Sequence, residues 1–161
     1  MSQIKVGDSI PAMKLMRSTA EGPKEVTTDE LFKGKKVALF AVPGAFTPTC
    51  SAKHLPGYVE NAAALKAKGV DSIVCMAVND VFVMGAWGKA GGVNDDIIMV
   101  ADGSAALTKA MGLELDLVAR GMGVRAQRFA MVVDDGKVTT LNIEAPGDFK
   151  VSSAEAILAA L

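Results

Sequence analysis

The stretch Val37-Ala-Leu-Phe-Ala-Val-Pro-Gly-Ala-Phe-Thr-Pro-Thr-Cys50 decides the fold prediction. Its first six residues are all apolar, which is typical of a strand buried on both faces of a sheet. Pro43 and Gly44 end that strand. Residues 49–68 include the alanine-rich stretch 60–68, whose composition predicts a helix that ends at Gly69. A buried strand followed by a helix indicates an α/β unit with parallel strands.

The same alternation continues along the chain. Apolar runs at residues 73–78 and 97–100 predict two further buried strands. Between and after them, residues 81–89 and 104–111 have helical composition and are followed by glycines. Residues 1–36 are polar and rich in turns, so we expect short edge strands and a small helix near residues 28–32.

The last third of the chain predicts a hairpin and a terminal helix. Asp134-Asp135-Gly136 separates two strand-like runs at residues 129–133 and 137–142, which is a strong hairpin signal. Ser152 and Glu155 have the spacing of a capping box ahead of an alanine-rich helix over residues 152–161. The predicted fold class is therefore α/β, with a central mixed β-sheet flanked by helices, as in a thioredoxin-like fold. We expect one domain over residues 1–161.

Composition excludes several classes of function. Seventeen basic and eighteen acidic residues leave a net charge of −1, so no strong field attracts nucleic acid or anionic membranes. Two cysteines and one histidine are too few for a structural zinc site or an iron–sulfur cluster, and we expect no cofactor and no metal. No apolar run is long enough to span a membrane, and we expect a reducing cytoplasmic location.

Cys50 has the sequence environment of a reactive thiol. If Thr47 is the N-cap, Pro48 takes the first helical position and Cys50 lies in the first turn. Unpaired backbone N–H groups and the helix dipole favour an anion there, so they stabilise a thiolate. The alternative is that Cys50 is only a small buried apolar residue.

The residues around Cys50 carry a specific resemblance. Pro43, Thr47 and Cys50 form Pro-x-x-x-Thr-x-x-Cys, and the string Pro43-Gly-Ala-Phe-Thr-Pro-Thr-Cys50 resembles the active-site signature of the peroxiredoxins, in their Prx5 or type II branch. Other segments are similar to that branch as well: Lys53-His-Leu-Pro-Gly-Tyr58, Val78-Asn-Asp-Val-Phe-Val83, Ala86-Trp-Gly88 and Gly123-Val-Arg-Ala-Gln-Arg-Phe-Ala130.

The resemblance implies a role for each matching residue. Cys50 would attack the peroxide, Thr47 would hydrogen-bond the thiolate and the peroxide, and Pro43 would shield the pocket from water. Arg128 would stabilise the thiolate and polarise the peroxide, with Arg120 and Arg125 as nearby competitors. The substrate, hydrogen peroxide or an alkyl hydroperoxide, would lie against Pro43, Gly44, Phe46, Thr47 and Arg128.

The sequence departs from part of this branch because it has no cysteine after Cys75. Residues 146–153 offer only serines where some members have a resolving cysteine. Cys75 lies in the apolar run at residues 73–78, and we interpret it as a buried structural residue. The resemblance then implies an external reductant, glutathione with glutaredoxin or alternatively thioredoxin.

Other interpretations stay open at this level. His54 lies four residues after Cys50, which admits a Cys–His hydrolase, although no third catalytic residue is evident. A thiol–disulfide oxidoreductase of the same fold is weakened by the absence of a Cys-x-x-Cys pair, and a slow redox sensor is a further alternative. Trp87 and Phe82 are interpreted as core or interface residues, and the resemblance makes a homodimer plausible.

Overall fold

A computed structural model describes residues 3–161. Within them, the strands are β1 (Lys14–Thr19), β2 (Gly22–Thr27), β3 (Lys36–Val42), β4 (Ser72–Ala77), β5 (Ile97–Ala101), β6 (Glu114–Leu117), β7 (Gly123–Ala126), β8 (Phe129–Asp134) and β9 (Lys137–Ile143). The α-helices are α1 (Thr28–Phe32), α2 (Leu55–Ala67), α3 (Val81–Ala90), α4 (Ala106–Ala110) and α5 (Ala154–Ala160).

Seven of these strands form one mixed sheet in the order β2-β1-β5-β4-β3-β8-β9. The central strands β3, β4 and β5 are parallel, and the outer pairs are antiparallel. This confirms the predicted thioredoxin-like α/β class with a mixed central sheet. Strand β3, which precedes the Cys50 loop, lies between β4 and β8 inside the sheet. The Cys50 loop therefore follows the carboxyl end of an inner strand, where α/β folds commonly place their sites.

Helices cover both faces of the sheet. On one face, α2, α3 and α5 contribute large buried side chains such as Tyr58, Trp87 and Ile157. On the other face, α1 and α4 contribute Phe32 and Leu107 to a second core. Strand β3 is buried on both faces and divides its side chains between the two cores, because successive residues point to opposite sides. Its continuous apolar sequence follows from that burial.

Local packing explains the residues around α3. Asp80 is its N-cap and accepts a hydrogen bond from the Val83 N–H at 2.9 Å. A Cβ at Gly85 would come within 2.6 Å of Ser18 Oγ, and one at Gly88 within 2.9 Å of Met99 Cγ. The two glycines therefore let α3 lie close against β1 and β5.

One local prediction was wrong. Helix α5 is capped by Ser153, whose hydroxyl accepts from the Ala156 N–H, and not by Ser152. Ser152 is buried, and its hydroxyl donates to Glu144 at 2.7 Å, so it is not available as a cap. Helix α2 begins at Leu55, because the π-helical turn Cys50–His54 precedes it and continues into it.

Two elements were not predicted at all. Strands β6 and β7 form a separate two-stranded antiparallel sheet, joined by a 3₁₀ turn at Val118–Arg120. This small sheet carries the chain to Arg128 at the start of β8. In the part of the chain that the structure describes, no helix is long and apolar enough to cross a membrane.

Candidate active site

The loop after β3 is a tight turn whose polar groups are paired. The Thr47 hydroxyl donates to the Gly44 carbonyl at 2.7 Å, and the Ala45 N–H donates to Asn79 Oδ1 at 2.9 Å. Phe46 has a φ of +64°, an uncommon conformation for a non-glycine residue, and its side chain is 55% exposed. The turn thus directs Phe46 to solvent and Thr47 toward the helix that follows.

Cys50 lies in the first turn of that helix, as the sequence predicts. The Ser51 N–H donates to the Thr47 carbonyl at 2.9 Å, which makes Pro48 the first helical residue and Cys50 the third. The turn Cys50–His54 is a π-helix, closed by a bond from the Leu55 N–H to the Cys50 carbonyl. Pro56 explains the wide turn, because it has no N–H and its ring crowds the carbonyl four residues earlier.

Arg128 contacts the Cys50 thiol directly. Its Nη2 donates to Cys50 Sγ at 3.0 Å, although the two residues are 78 positions apart in the sequence. Its Nη1 lies 2.8 Å from His54 Nδ1, and its guanidinium carbon lies 5.8 Å from the centre of the Phe149 ring. The guanidinium is therefore held between a thiol, an imidazole and an aromatic ring.

His54 is bound at both ring nitrogens. Nε2 lies 2.9 Å from the Ser152 carbonyl, which can only accept, so Nε2 carries the proton and Nδ1 accepts from Arg128. Burial, together with the charge of Arg128, lowers the pKa of His54 to about 3. Neither nitrogen is free to take a proton from Cys50, which argues against a Cys–His hydrolase.

The competing arginines have different surroundings. Arg120 is exposed at the end of the 3₁₀ turn. Arg125 is close to the site but contacts the backbone: Nη1 donates to the Pro43 carbonyl at 3.3 Å and Nε to the Met122 carbonyl at 2.8 Å. A Cβ at Gly44 would come within 2.9 Å of that Nη1, so a side chain at this position would displace the Arg125 guanidinium. Arg125 thus braces the Pro43 loop, while Arg128 contacts the thiol.

A pocket of about 140 Å³ opens beside Arg128. One side is formed by the active-site loop and its helix, and the other by the segment after β9. The lining residues are Pro43, Thr49, Leu115, Gln127, Arg128, Glu144, Ala145, Pro146, Gly147 and Asp148. Of the predicted substrate-contacting residues, Pro43 and Arg128 line this pocket, whereas Phe46 faces solvent.

Comparisons of the sequence and the structure with known proteins show the family of this chain. The model of the redoxin family matches residues 5–158. Peroxiredoxin-2B of Arabidopsis thaliana is 52% identical, over the whole of both chains. Reduced Prx3 of Vibrio vulnificus, solved in complex with hydrogen peroxide, is 56% identical, with a TM-score of 0.94 over 98% of this chain and 99% of that one. Peroxiredoxin 5 from Alvinella pompejana is 36% identical, with a TM-score of 0.86 over 98% and 97%.

The chain belongs to the redoxin family. Within that family it is a peroxiredoxin, a thiol peroxidase that reduces peroxides. The resemblance to the peroxiredoxins and the expected peroxidase activity are thereby confirmed.

The second cysteine of this peroxiredoxin lies in a different environment. Cys75 is fully buried in the middle of β4, where it pairs in register with Phe40 of β3. Burial, with a smaller contribution from Cys50, raises the pKa of the Cys75 thiol well above its usual value. Both cysteines are free thiols.

Sequence reasoning missed Glu144 and the contacts of Ser152. Glu144 is 7% exposed and is surrounded by donors from Lys150, Val151 and Ser152. The available signal was an acidic residue directly after the apolar end of β9, where the chain turns at Pro146. Among residues 3–161, no group of three histidine, cysteine or acidic side chains could hold a metal ion.

Proposed function

We propose that Cys50 is the peroxidatic residue, and that it reduces hydrogen peroxide and alkyl hydroperoxides. The observation that carries the proposal is the hydrogen bond of 3.0 Å from Arg128 Nη2 to Cys50 Sγ. A guanidinium at that distance stabilises a thiolate, which is the nucleophilic form of cysteine.

In the reaction, the Cys50 thiolate attacks the nearer peroxide oxygen and the O–O bond breaks. Sulfur is oxidised by two electrons to sulfenic acid, and the other oxygen leaves as hydroxide or alkoxide, which takes a proton from water. Arg128 and the backbone N–H groups of the first helical turn stabilise the negative charge that develops on the leaving oxygen. Because they are fixed before the reaction, they need little reorganisation.

Thr47 contributes as a hydrogen-bond acceptor in this scheme. Its hydroxyl proton is already donated to the Gly44 carbonyl at 2.7 Å, so the lone pairs of its oxygen remain for a donor. A peroxide O–H is such a donor, whereas a thiolate is not. The geometry therefore favours a contact of Thr47 with the peroxide over the expected additional contact with the thiolate, and Pro43 shields the pocket beside it.

The sulfenic acid is reduced by an external thiol. The chain has only two cysteines, and Cys75 is buried with a raised pKa, so it is a poor nucleophile. A first external thiol forms a mixed disulfide with Cys50 and releases water, and a second thiol exchanges with it to restore the Cys50 thiol. Glutathione with glutaredoxin is the proposed reductant, with thioredoxin as the alternative, and the reducing cytoplasm is the proposed location.

The experiment is steady-state peroxide consumption with each reducing system. We expect turnover with glutathione plus glutaredoxin, slower turnover with thioredoxin, and none with Cys50→Ser in either system. Equal or faster turnover with thioredoxin would contradict glutathione with glutaredoxin as the preferred reductant and favour thioredoxin. Peroxide consumption by Cys50→Ser would overturn the assignment of Cys50 itself.

We also propose that the protein is a homodimer that associates near the active-site loop. Phe46 and Phe82 are 55% and 73% exposed, and they lie at the same end of the sheet, since Ala45 is bonded to Asn79 just before α3. Exposed aromatic residues are common in protein interfaces. Light scattering should give the mass of a dimer for the wild type and of a monomer for Phe82→Asp, while Val6→Asp, at another exposed apolar residue, should stay dimeric.

A further inference from the structure

The buried carboxylate of Glu144 binds the segment that follows it. Its Oε2 accepts from the N–H groups of Val151 and Ser152, each at 2.8 Å, and from the Ser152 hydroxyl at 2.7 Å. The Lys150 N–H lies within 2.9 Å of both carboxylate oxygens. These hydrogen bonds lower the pKa of Glu144 despite its burial. We refer to Lys150, Val151 and Ser152 as the Glu144 collar.

The collar reaches the active site through Ser152. The Ser152 carbonyl accepts from His54 Nε2 and from the Tyr58 hydroxyl, both at 2.9 Å. The same segment presents Phe149, whose ring centre is 5.0 Å from that of His54. Two of the groups that surround the Arg128 guanidinium, His54 and Phe149, are thus placed by a segment that the Glu144 carboxylate holds.

A backbone hydrogen bond joins Glu144 to Arg128, so these contacts form a closed cycle that starts and ends at Arg128. The Glu144 N–H donates to the Arg128 carbonyl at 3.0 Å, so the two residues are adjacent across the end of the β8–β9 pair. From Glu144 the cycle passes to Ser152, then to His54, and returns to Arg128 at its Nη1. Of the other two guanidinium nitrogens of Arg128, Nη2 is the one that contacts Cys50.

We propose that Glu144 is a positioning residue for Arg128. By holding the collar, the carboxylate fixes the Ser152 carbonyl, which fixes the orientation of His54, and His54 in turn fixes the rotation of the guanidinium toward Cys50. The proposal rests on the assigned role of Cys50. It gives a catalytic consequence to a residue that has no hydrogen bond to the thiol.

Ordinary structural support is the competing explanation. Removing a buried acceptor of several hydrogen bonds lowers the stability of any fold. A purely structural role predicts a lower melting temperature with unchanged reactivity of Cys50 in the folded protein. A positioning role predicts a loss of reactivity that depends on the presence of Arg128.

The test is a double-mutant cycle on the reaction of the reduced protein with hydrogen peroxide, followed by stopped flow across pH 5 to 8. For Glu144→Gln we expect a second-order rate constant about 10-fold lower, with the pH midpoint of the rate shifted upward, because the misaligned guanidinium stabilises the thiolate less. In an Arg128→Met background, Glu144→Gln should change the rate less than twofold, because there is no guanidinium left to position. Glu60→Gln, an exposed glutamate of α2, is the matched control and should react like the wild type.

Each outcome decides the proposal. An unchanged rate and pH midpoint for folded Glu144→Gln would overturn it, and so would the same loss in both backgrounds. If Glu144→Gln does not fold, Ser152→Ala takes its place: it removes one donor to the carboxylate, and its expected loss of about threefold must again vanish in the Arg128→Met background. If wild-type Cys50 does not react with peroxide at all, the proposed function fails, which is a separate result.

Discussion

Cys50 and Cys75 are equally buried but chemically different. Both have no exposed surface, both are free, and both belong to the core on the same face of the sheet. Cys50 accepts a hydrogen bond from a guanidinium at the start of a helix, whereas Cys75 lies within a central strand among apolar side chains. Burial alone therefore does not distinguish the two thiols. We expect the charged partner to decide which of them reacts with peroxide, because the thiolate is the nucleophilic form and a guanidinium stabilises it.

The largest expected effect is the difference in reactivity between the two thiols. With stoichiometric peroxide, Cys50 should be oxidised at least about 10³-fold faster than Cys75, because Cys75 has no cationic partner and a raised pKa. Quenched samples analysed by mass spectrometry measure both sites in one experiment. The comparison would break if Cys75 were oxidised at a similar rate, or if a Cys50–Cys75 disulfide formed as fast as the peroxide disappears.

Removing the guanidinium of Arg128 should make Cys50 react with peroxide almost as slowly as Cys75. Arg128→Met retains much of the volume of the side chain but removes the donor to Sγ, so we expect kcat/KM for peroxide to fall about 10²–10³-fold. Arg120→Met is the matched control, because Arg120 is exposed, and it should retain full activity. A loss below about threefold for Arg128→Met would show that the helix terminus alone activates Cys50.

The strands of this fold could be predicted because they are buried on both faces. Strand β3 supplies residues to both cores, so its sequence is continuously apolar and needs no tertiary information to be recognised. Strands β6 and β7 were missed because each is only four residues long and mostly lies outside the core, although the residues of β6 alternate between exposed and half-buried. Ser152 misled the capping prediction because a tertiary hydrogen bond to Glu144 competes with the local signal.

The site was only partly predictable, since its contacts join distant parts of the chain. The position of Cys50 in the first turn of a helix could be predicted, because neighbouring residues, Thr47 and Pro48, indicate where that helix begins. Arg128 could be named only through the family resemblance, because it is 78 residues away from Cys50. His54 contacts a carbonyl 98 residues away, and no periodicity predicts such a pair.

A smaller effect is expected on the stability of the protein at acidic pH, and it comes from His54, which is bonded to the same arginine as Cys50. His54 titrates near 6.5 when unfolded and near 3 when folded, so between these values only the unfolded state binds the proton. The free energy of unfolding should therefore fall as the pH falls below 6.5, by about 1.4 kcal/mol per pH unit. Urea unfolding between pH 7 and 5 measures this range before the carboxylates titrate.

The assignment to His54 can be checked directly. His54 is the only histidine in the chain, so His54→Gln should remove this acidic decline. A decline of the same slope in the variant would assign it to another group. Glu144 lowers the stability only below about pH 4.5, where the unfolded chain takes up its proton while hydrogen bonds keep the folded carboxylate ionised.

The smallest effect should come from Cys75, at alkaline pH. In the unfolded chain its thiol ionises near pH 8.5, whereas burial keeps it protonated in the folded protein. Unfolding then releases a proton, so the free energy of unfolding should decline above pH 8.5, by up to about 1.4 kcal/mol per pH unit. Cys75→Ala should lose about 1 kcal/mol at pH 7 and show a flatter decline between pH 8 and 9.5, with peroxidase activity within twofold of the wild type.

The control for that change is the neighbouring strand position. Val74 is also buried in β4 but faces the opposite core, so Val74→Ala should lower stability at every pH without changing the alkaline slope. If Cys75→Ala kept the wild-type slope, the buried thiol would not be the group that titrates on unfolding. If Cys75→Ala lost activity while remaining folded, Cys75 would take part in the reaction. The two cysteines would then not divide into a reactive thiol and a structural one.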